Sequence, residues 1–311
     1  MKNTILTFCC ILLQQSLFAE NKDWLIDGSP YKTEVNLSSD KKQIELTNGL
    51  LRRSFSLTPN GATIALDNLM TGQNELRAVR PEAVLVINGK EYPVGGLEGQ
   101  PVHNFLTKDF LSGMQLCDSA FVLAGYTVSE TKERFPWKPN EAWISNRYPW
   151  PAPGKRITFT YRAPRKIVDE CKGLTIRIVY ELYDGAPILS KWIEIENNGQ
   201  KAVTLDSFKS EVLALVETAP KVHYGEPHEV RMMAQKTGYY TEDYRKRPVQ
   251  TDAPRDYIDR FTQLFVVTDY AMGGDMEAMK DNPAVRWVFD HPEYEFTGIR
   301  YYGQYKPARL E

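Results

Sequence analysis

Between Leu174 and Val216 the chain reads LTIRIVYELYDGAPILSKWIEIENNGQKAVTLDSFKSEVLALV, and no other stretch restricts the fold as much. Leu174, Ile176, Ile178, Tyr180 and Leu182 alternate with Thr175, Arg177, Glu181 and Tyr183, the period of two expected of a half-buried strand. After Asp184-Gly185 the alternation resumes. Leu189, Lys191, Ile193 and Ile195 share one face, and Ser190, Trp192, Glu194 and Glu196 share the other. Asp184-Gly185 and Asn197-Asn198-Gly199 are expected to supply the positive φ angles that tight hairpins require. The stretch predicts three consecutive antiparallel strands.

The same pattern fills the rest of the chain. Gln43 to Leu69 holds three strands separated by Asn48-Gly49 and Pro59-Asn60-Gly61. Glu82 to Ile87 is a further strand, closed by Asn88-Gly89. Strands are also expected at Phe121–Ser129, Lys155–Arg162, Gln263–Thr268, Ala284–Phe289 and Gly298–Tyr302. A helical period is confined to one or two turns at Asp275–Lys280. With few helices to cover a sheet, sheets must cover each other, so the fold class is all-β, a large antiparallel β-sandwich.

Residues 1–19 read as an export signal: Lys2, an apolar run from Ile5 to Leu13, and a small-residue site ending at Ala19. That run is shorter than the roughly 20 residues a membrane span needs. Phe8 stands where a small residue would precede a lipidated cysteine, which argues against an anchor at Cys9 or Cys10. Residues 20–311 are then expected to form a single exported domain, periplasmic or secreted. Losing Lys2 moves the formal charge from −2 to −3, too near neutral for a partner held by phosphate neutralisation, so no nucleic acid is expected. Cys117 and Cys171 remain, either as one disulfide or as two buried thiols in separate strands.

Catalytic signatures fail in turn. His228-Glu229 begins a zinc-protease motif, but Met232 occupies the place of its second histidine. No G-x-S-x-G elbow occurs, and Gly95-Gly96 and Gly273-Gly274 lack phosphate-loop spacing. No metal-ligand spacing and no cofactor motif is found. With 40 acidic residues, carboxylates near strand ends such as Asp67, Asp109, Asp206, Asp269 and Glu293 read as solvated turn residues. The other histidines are His103, His223 and His291. His223 and His228 flank a turn; they are candidates for the acid that a mutarotase-like epimerase would need beside a carboxylate base, the alternative being surface histidines in a loop.

Two long segments interrupt the strands, Lys132–Pro153 and Lys236–Arg260. The first carries Trp137, Trp143 and Trp150 beside Asn140, Asn146, Arg147 and Tyr148. Flat rings stack on the C–H faces of sugars, and amide and guanidinium groups pair with hydroxyls. These residues therefore form a candidate carbohydrate site, the alternative being that the tryptophans pin the loop to the sandwich.

YELYDGAPILSKWIEIENNG (Tyr180–Gly199), following TNGLLRRSFSLTPNGATIALDNLMTG (Thr47–Gly72), resembles the N-terminal β-supersandwich of α-galactosidase-type glycoside hydrolases, family 36 and its relatives. The resemblance runs from about Val35 to Tyr305. It implies a galactose-mutarotase-like supersandwich in an exported protein that meets α-galactosides or related glycans. In that family the catalytic carboxylates lie on a following (β/α)₈ barrel. No strand–helix alternation follows the sandwich here, so no catalytic residue is carried over. The expectation is a non-catalytic sugar-binding module, or a scaffold for a catalytic barrel domain or partner subunit. In such a module Trp137, Trp143, Asn146, Arg147, Tyr148 and Trp150 would face the sugar or the barrel. The rival expectation is a mutarotase-like aldose epimerase using a His/carboxylate pair.

Overall fold

The computed structural model describes residues 23–101, 106–137, 149–163 and 171–215, and beyond these the backbone of five further strands. The first sheet is a meander of β1 (Glu34–Leu37), β2 (Gln43–Thr47), β3 (Leu51–Ser56), β4 (Ala62–Asn68) and β5 (Gln73–Asn74), in that spatial order. Asn48 explains its first tight turn. Its side-chain oxygen accepts the Leu50 and Leu51 N–H groups, and Gly49 takes φ 82°. The Asn48 amide also donates to the Tyr183 and Ala186 carbonyls at 2.8 and 2.7 Å, tying this turn to a distant hairpin.

Next come β6 (Leu76–Ala78), β7 (Ala83–Ile87) and β8 (Lys90–Val94). Asn88 and Gly89 both have positive φ (49° and 76°), so β7 and β8 close through the two-residue turn expected of Asn-Gly. A helix at Lys108–Gly113 follows, its first turn capped by the Thr107 hydroxyl, which accepts the Phe110 N–H. At six residues it is too short to leave a periodic signature, and the sequence did not announce it.

The third sheet joins β9 (Val122–Glu130), β10 (Gly154–Arg162), β11 (Leu174–Tyr183) and β12 (Leu189–Asn197) in the order β12-β11-β10-β9. Gly185 takes φ 76° in the β11–β12 turn, as Asp184-Gly185 foretold. The next turn departs from expectation: none of Asn197, Asn198 and Gly199 has positive φ. Here Asn197 Oδ1 accepts the Gly199 N–H and its amide donates to the Lys201 carbonyl. Gly173 and Gly199 lie against each other; a Cβ on Gly173 would stand 2.3 Å from the Gly199 Cα. Close approach, not φ, selects glycine there.

The third expected strand exists but leaves the sheet. β13 (Val203–Leu215) does not extend the meander; it pairs with β6 and β7 of another sheet. Strand alternation is the same in either sheet, so the switch left no mark on the sequence. The short pair β14 (Lys236–Thr237) and β15 (Phe265–Val266) is parallel. β16 (Val285–Asp290) pairs with β17 (Gly298–Gly303), and both β17 and β18 (Ala308–Leu310) pair with β13. The expected strand at Gln263–Thr268 is thus reduced to Phe265–Val266 among the described residues. The expected helical turn at Asp275–Lys280 and the export signal lie outside them.

All three antiparallel sheets feed one core: Ile44, Leu46 and Phe55 from the first, Leu85 and Ile87 from the β7–β13 sheet, Ile157, Phe159, Ile176 and Ile178 from the third. The protein is an all-β sandwich. At its centre Phe55 packs on Phe159 (centroids 4.8 Å) and on Tyr180 (4.9 Å). β11 is covered on both faces, since outward-facing Thr175, Val179 and Glu181 are buried too. Cys117 and Cys171 do not form a disulfide with each other, and neither lies in a strand: buried Cys171 sits in the turn before β11, and Cys117 contacts Ser119 Oγ at 3.1 Å before β9.

Candidate functional site

Two constellations stand out, one inside the sandwich and one on its surface. The inner one gathers charge where the three sheets meet. Arg53, on β3, is 2 % exposed and donates two hydrogen bonds to Glu211 of β13, at 2.8 and 3.2 Å. Its Nε donates to Thr63 Oγ1 at 2.9 Å, and its guanidinium lies 4.6 Å from the centre of the Tyr180 ring. Lys191, the one lysine on the apolar face of β12, donates to Glu211 Oε1 at 2.8 Å and to the Glu82 carbonyl at 2.6 Å. The Glu82 carboxylate accepts from the Tyr180 hydroxyl and the Thr63 N–H, and stands 3.6 Å from Arg53 and 3.7 Å from Lys191.

Two cations thus face two carboxylates. Burial pushes the Glu211 carboxyl up, but Arg53 and Lys191 outweigh it and hold it at about 2. Burial pushes the Lys191 ammonium down and the Tyr180 phenol well up. Glu211 is ionised and Tyr180 protonated throughout the neutral range, so neither is poised to exchange a proton. The cluster fastens three sheets together. Asp67, read as a solvated turn residue, is buried within β4 and paired with Arg52 at 2.8 Å; Asp109 lies in the first turn of the helix.

The surface constellation is built on the stems of the Lys132–Pro153 loop. Thr131 is buried; its N–H donates to the Gly154 carbonyl at 3.4 Å and its hydroxyl to the Ala152 carbonyl at 2.5 Å. The Lys132 N–H donates to Glu181 Oε1, while Arg156 donates to the Lys132 carbonyl. These bonds bring residues 132–137 beside 149–152. Glu133 Oε1 then accepts both the Trp137 backbone N–H and the Trp150 indole N–H, each at 3.1 Å. The Trp137 and Trp150 rings lie 4.8 Å apart at 55°, and Phe135 lies 6.2 Å from Trp150 at 46°. Phe135, Trp137 and Trp150 are 51 %, 36 % and 42 % exposed.

Beside this platform, on the face of the third sheet turned away from the core, Trp192 receives two guanidinium groups, Arg134 at 4.6 Å and Arg156 at 5.1 Å. Arg156 is itself held by Glu181 at 2.6 Å. The Trp192 indole donates to Glu194.

Of the residues expected from the sequence, the structure brings Trp137 and Trp150 together. Trp143, Asn146, Arg147 and Tyr148 lie outside the described residues, as do His103, His223, His228 and His291. Phe135, Glu133 and Trp192 were not anticipated. Trp192 had a signal, being a large ring on the polar face of its strand; Phe135 and Glu133 had none beyond position in the loop. Among the described residues no group of three or more His, Cys, Asp or Glu is placed to hold a metal, and no helix is long and apolar enough to cross a membrane. No family model matches the chain, and no curated protein matches it.

Proposed function

We propose that this protein is an exported carbohydrate-binding module, non-catalytic by itself, akin to the sandwich that precedes the barrel of α-galactosidase-type hydrolases. The observation that carries the reading is the exposed trio Phe135, Trp137 and Trp150, of which Glu133 ties Trp137 and Trp150 together. A loop whose rings merely pin it down would bury them. These rings remain partly exposed while Glu133 holds the Trp150 indole and the Trp137 backbone, which removes part of the ordering cost of binding. The inner charge cluster pairs its cations and carboxylates with one another, a structural role that leaves the reading to rest on the platform. The α-galactoside and barrel partner follow from the strand resemblance and belong to this proposal.

Titrating the purified chain with α-galactosides and other neutral oligosaccharides tests it. Saturable binding lost in Trp150→Ala, with no release of nitrophenol from nitrophenyl α-galactoside, is the expected result. Hydrolysis by the chain alone, or undiminished binding in the variant, overturns it.

A further inference from the structure

Rings that touch one another cannot each hold a separate sugar. An aromatic track for an extended, flat polysaccharide needs rings set apart, so that each receives its own residue, and turned parallel, so that they share a plane. The platform here has neither property. Trp137 and Trp150 are in mutual contact at 4.8 Å and inclined by 55°, and Phe135 is inclined by 46° to Trp150. Two inclined, partly exposed rings in contact make a corner rather than a plane, a shape suited to one ring-sized body met from two sides.

Part of that corner is held before any ligand arrives. Glu133 Oε1 accepts the Trp150 indole N–H and the Trp137 backbone N–H at once, so the Trp150 wall does not turn without breaking a bond and the Trp137 backbone is tied beside it. Glu133 is exposed, and its carboxylate stands beside both walls as an acceptor for a hydroxyl. The Arg134 guanidinium, next in sequence, is drawn away over Trp192.

Building on the glycan-binding reading above, we propose that this corner receives a single pyranose ring, gripped by Trp137 and Trp150 with a hydroxyl on Glu133. Affinity is then set by one sugar residue and does not grow with chain length. A crystalline polysaccharide surface, which offers only a plane, does not enter.

The test uses the full chain and four ladders of neutral sugars, mono- to tetrasaccharide, in the galacto, gluco, manno and xylo series. Calorimetry and ligand-observed NMR give the affinities, and sedimentation with microcrystalline cellulose gives retention. In the ladder that binds, the expected Kd changes by less than about threefold from the shortest ligand bound to the tetrasaccharide. Trp137→Ala and Trp150→Ala each weaken it about tenfold or more, while both keep the parent unfolding midpoint. Glu133→Gln weakens it severalfold. Affinity that climbs tenfold or more with length, or retention on cellulose, overturns the single-ring corner while leaving a glycan-binding protein. Absence of binding to every ladder overturns the underlying reading as well.

Discussion

Lys191 and Trp192 are adjacent on β12 and meet opposite physical conditions. Lys191 points into the sandwich, where its ammonium is matched to Glu211 at 2.8 Å and to the Glu82 carbonyl at 2.6 Å. Trp192 points outward, stacked under Arg134 and Arg156. A charge taken out of water must find all its partners within the chain. A half-exposed ring carries no such obligation and retains a face to offer. The interior cluster pairs its charges with one another; the surface platform leaves ring faces exposed, the faces that the proposed ligand would use.

The largest effect that separates the two regions should come from Glu211→Ala. It leaves Arg53 and Lys191 buried against Glu82 alone, and breaking a buried pair in this way costs about 3–5 kcal/mol. Urea unfolding should show that loss, while the sugar affinity of the folded fraction stays at the parent value. A loss under about 1 kcal/mol would mean that the cluster does not fasten the sheets.

Acid provides the next comparison. The Glu211 carboxyl has an ordinary value of 4.5 and a folded value of about 2. Its folded pKa is the lower, so its contribution is complete above 4.5 and is lost as the pH falls through about 2. That contribution is on the order of 3 kcal/mol. Unfolding free energy measured between pH 5 and 2 should fall more steeply in the parent than in Glu211→Gln. Equal slopes would assign the acid sensitivity elsewhere.

Trp150→Ala reverses the pattern. Stability should change by less than about 1 kcal/mol, because the ring is exposed, whereas glycan affinity should drop about tenfold. The smallest effect belongs to the exposed ion pair on the outer face of the third sheet. Arg177 meets Glu196 at 2.5 Å, but both side chains are well exposed (35 % and 45 %). Arg177→Ala should cost about 0–1 kcal/mol in thermal unfolding and leave binding untouched. A cost near that of Glu211→Ala would erase the distinction between buried and surface charge.

The strands were legible because each turn has a side chain that explains it. Asn48, Asn88 and Asp184-Gly185 can be read one residue at a time, and β2, β3, β4, β7, β11 and β12 lie between them. Sheet membership was not legible, because β13 alternates in the same way whether it extends the meander or crosses to β7. The charge cluster was hidden for a related reason. Arg53, Glu82, Lys191 and Glu211 come from four separate segments, and only Lys191, alone among Leu189, Ile193 and Ile195, broke a visible pattern. Half of the platform was readable as tryptophans in a proline-bounded loop. Its geometry was not, since the meeting of Trp137 with Trp150 depends on Glu133 and on the hydrogen bonds of Thr131 and Lys132.

The position of β13 bears on how the polypeptide emerges from the ribosome. β7 and β8 close locally, but the Asn88 N–H donates to Thr204, Thr204 donates back to Asn88 Oδ1, and Gly89 donates to Asp206. The hydrogen-bonding edge of β7 therefore waits unprotected until Val203–Leu215 has been synthesised, and β13 in turn waits for β17 and β18. Pairing with β17 and β18 covers the other edge of β13, so a nascent chain stalled before them displays a ready template for aggregation.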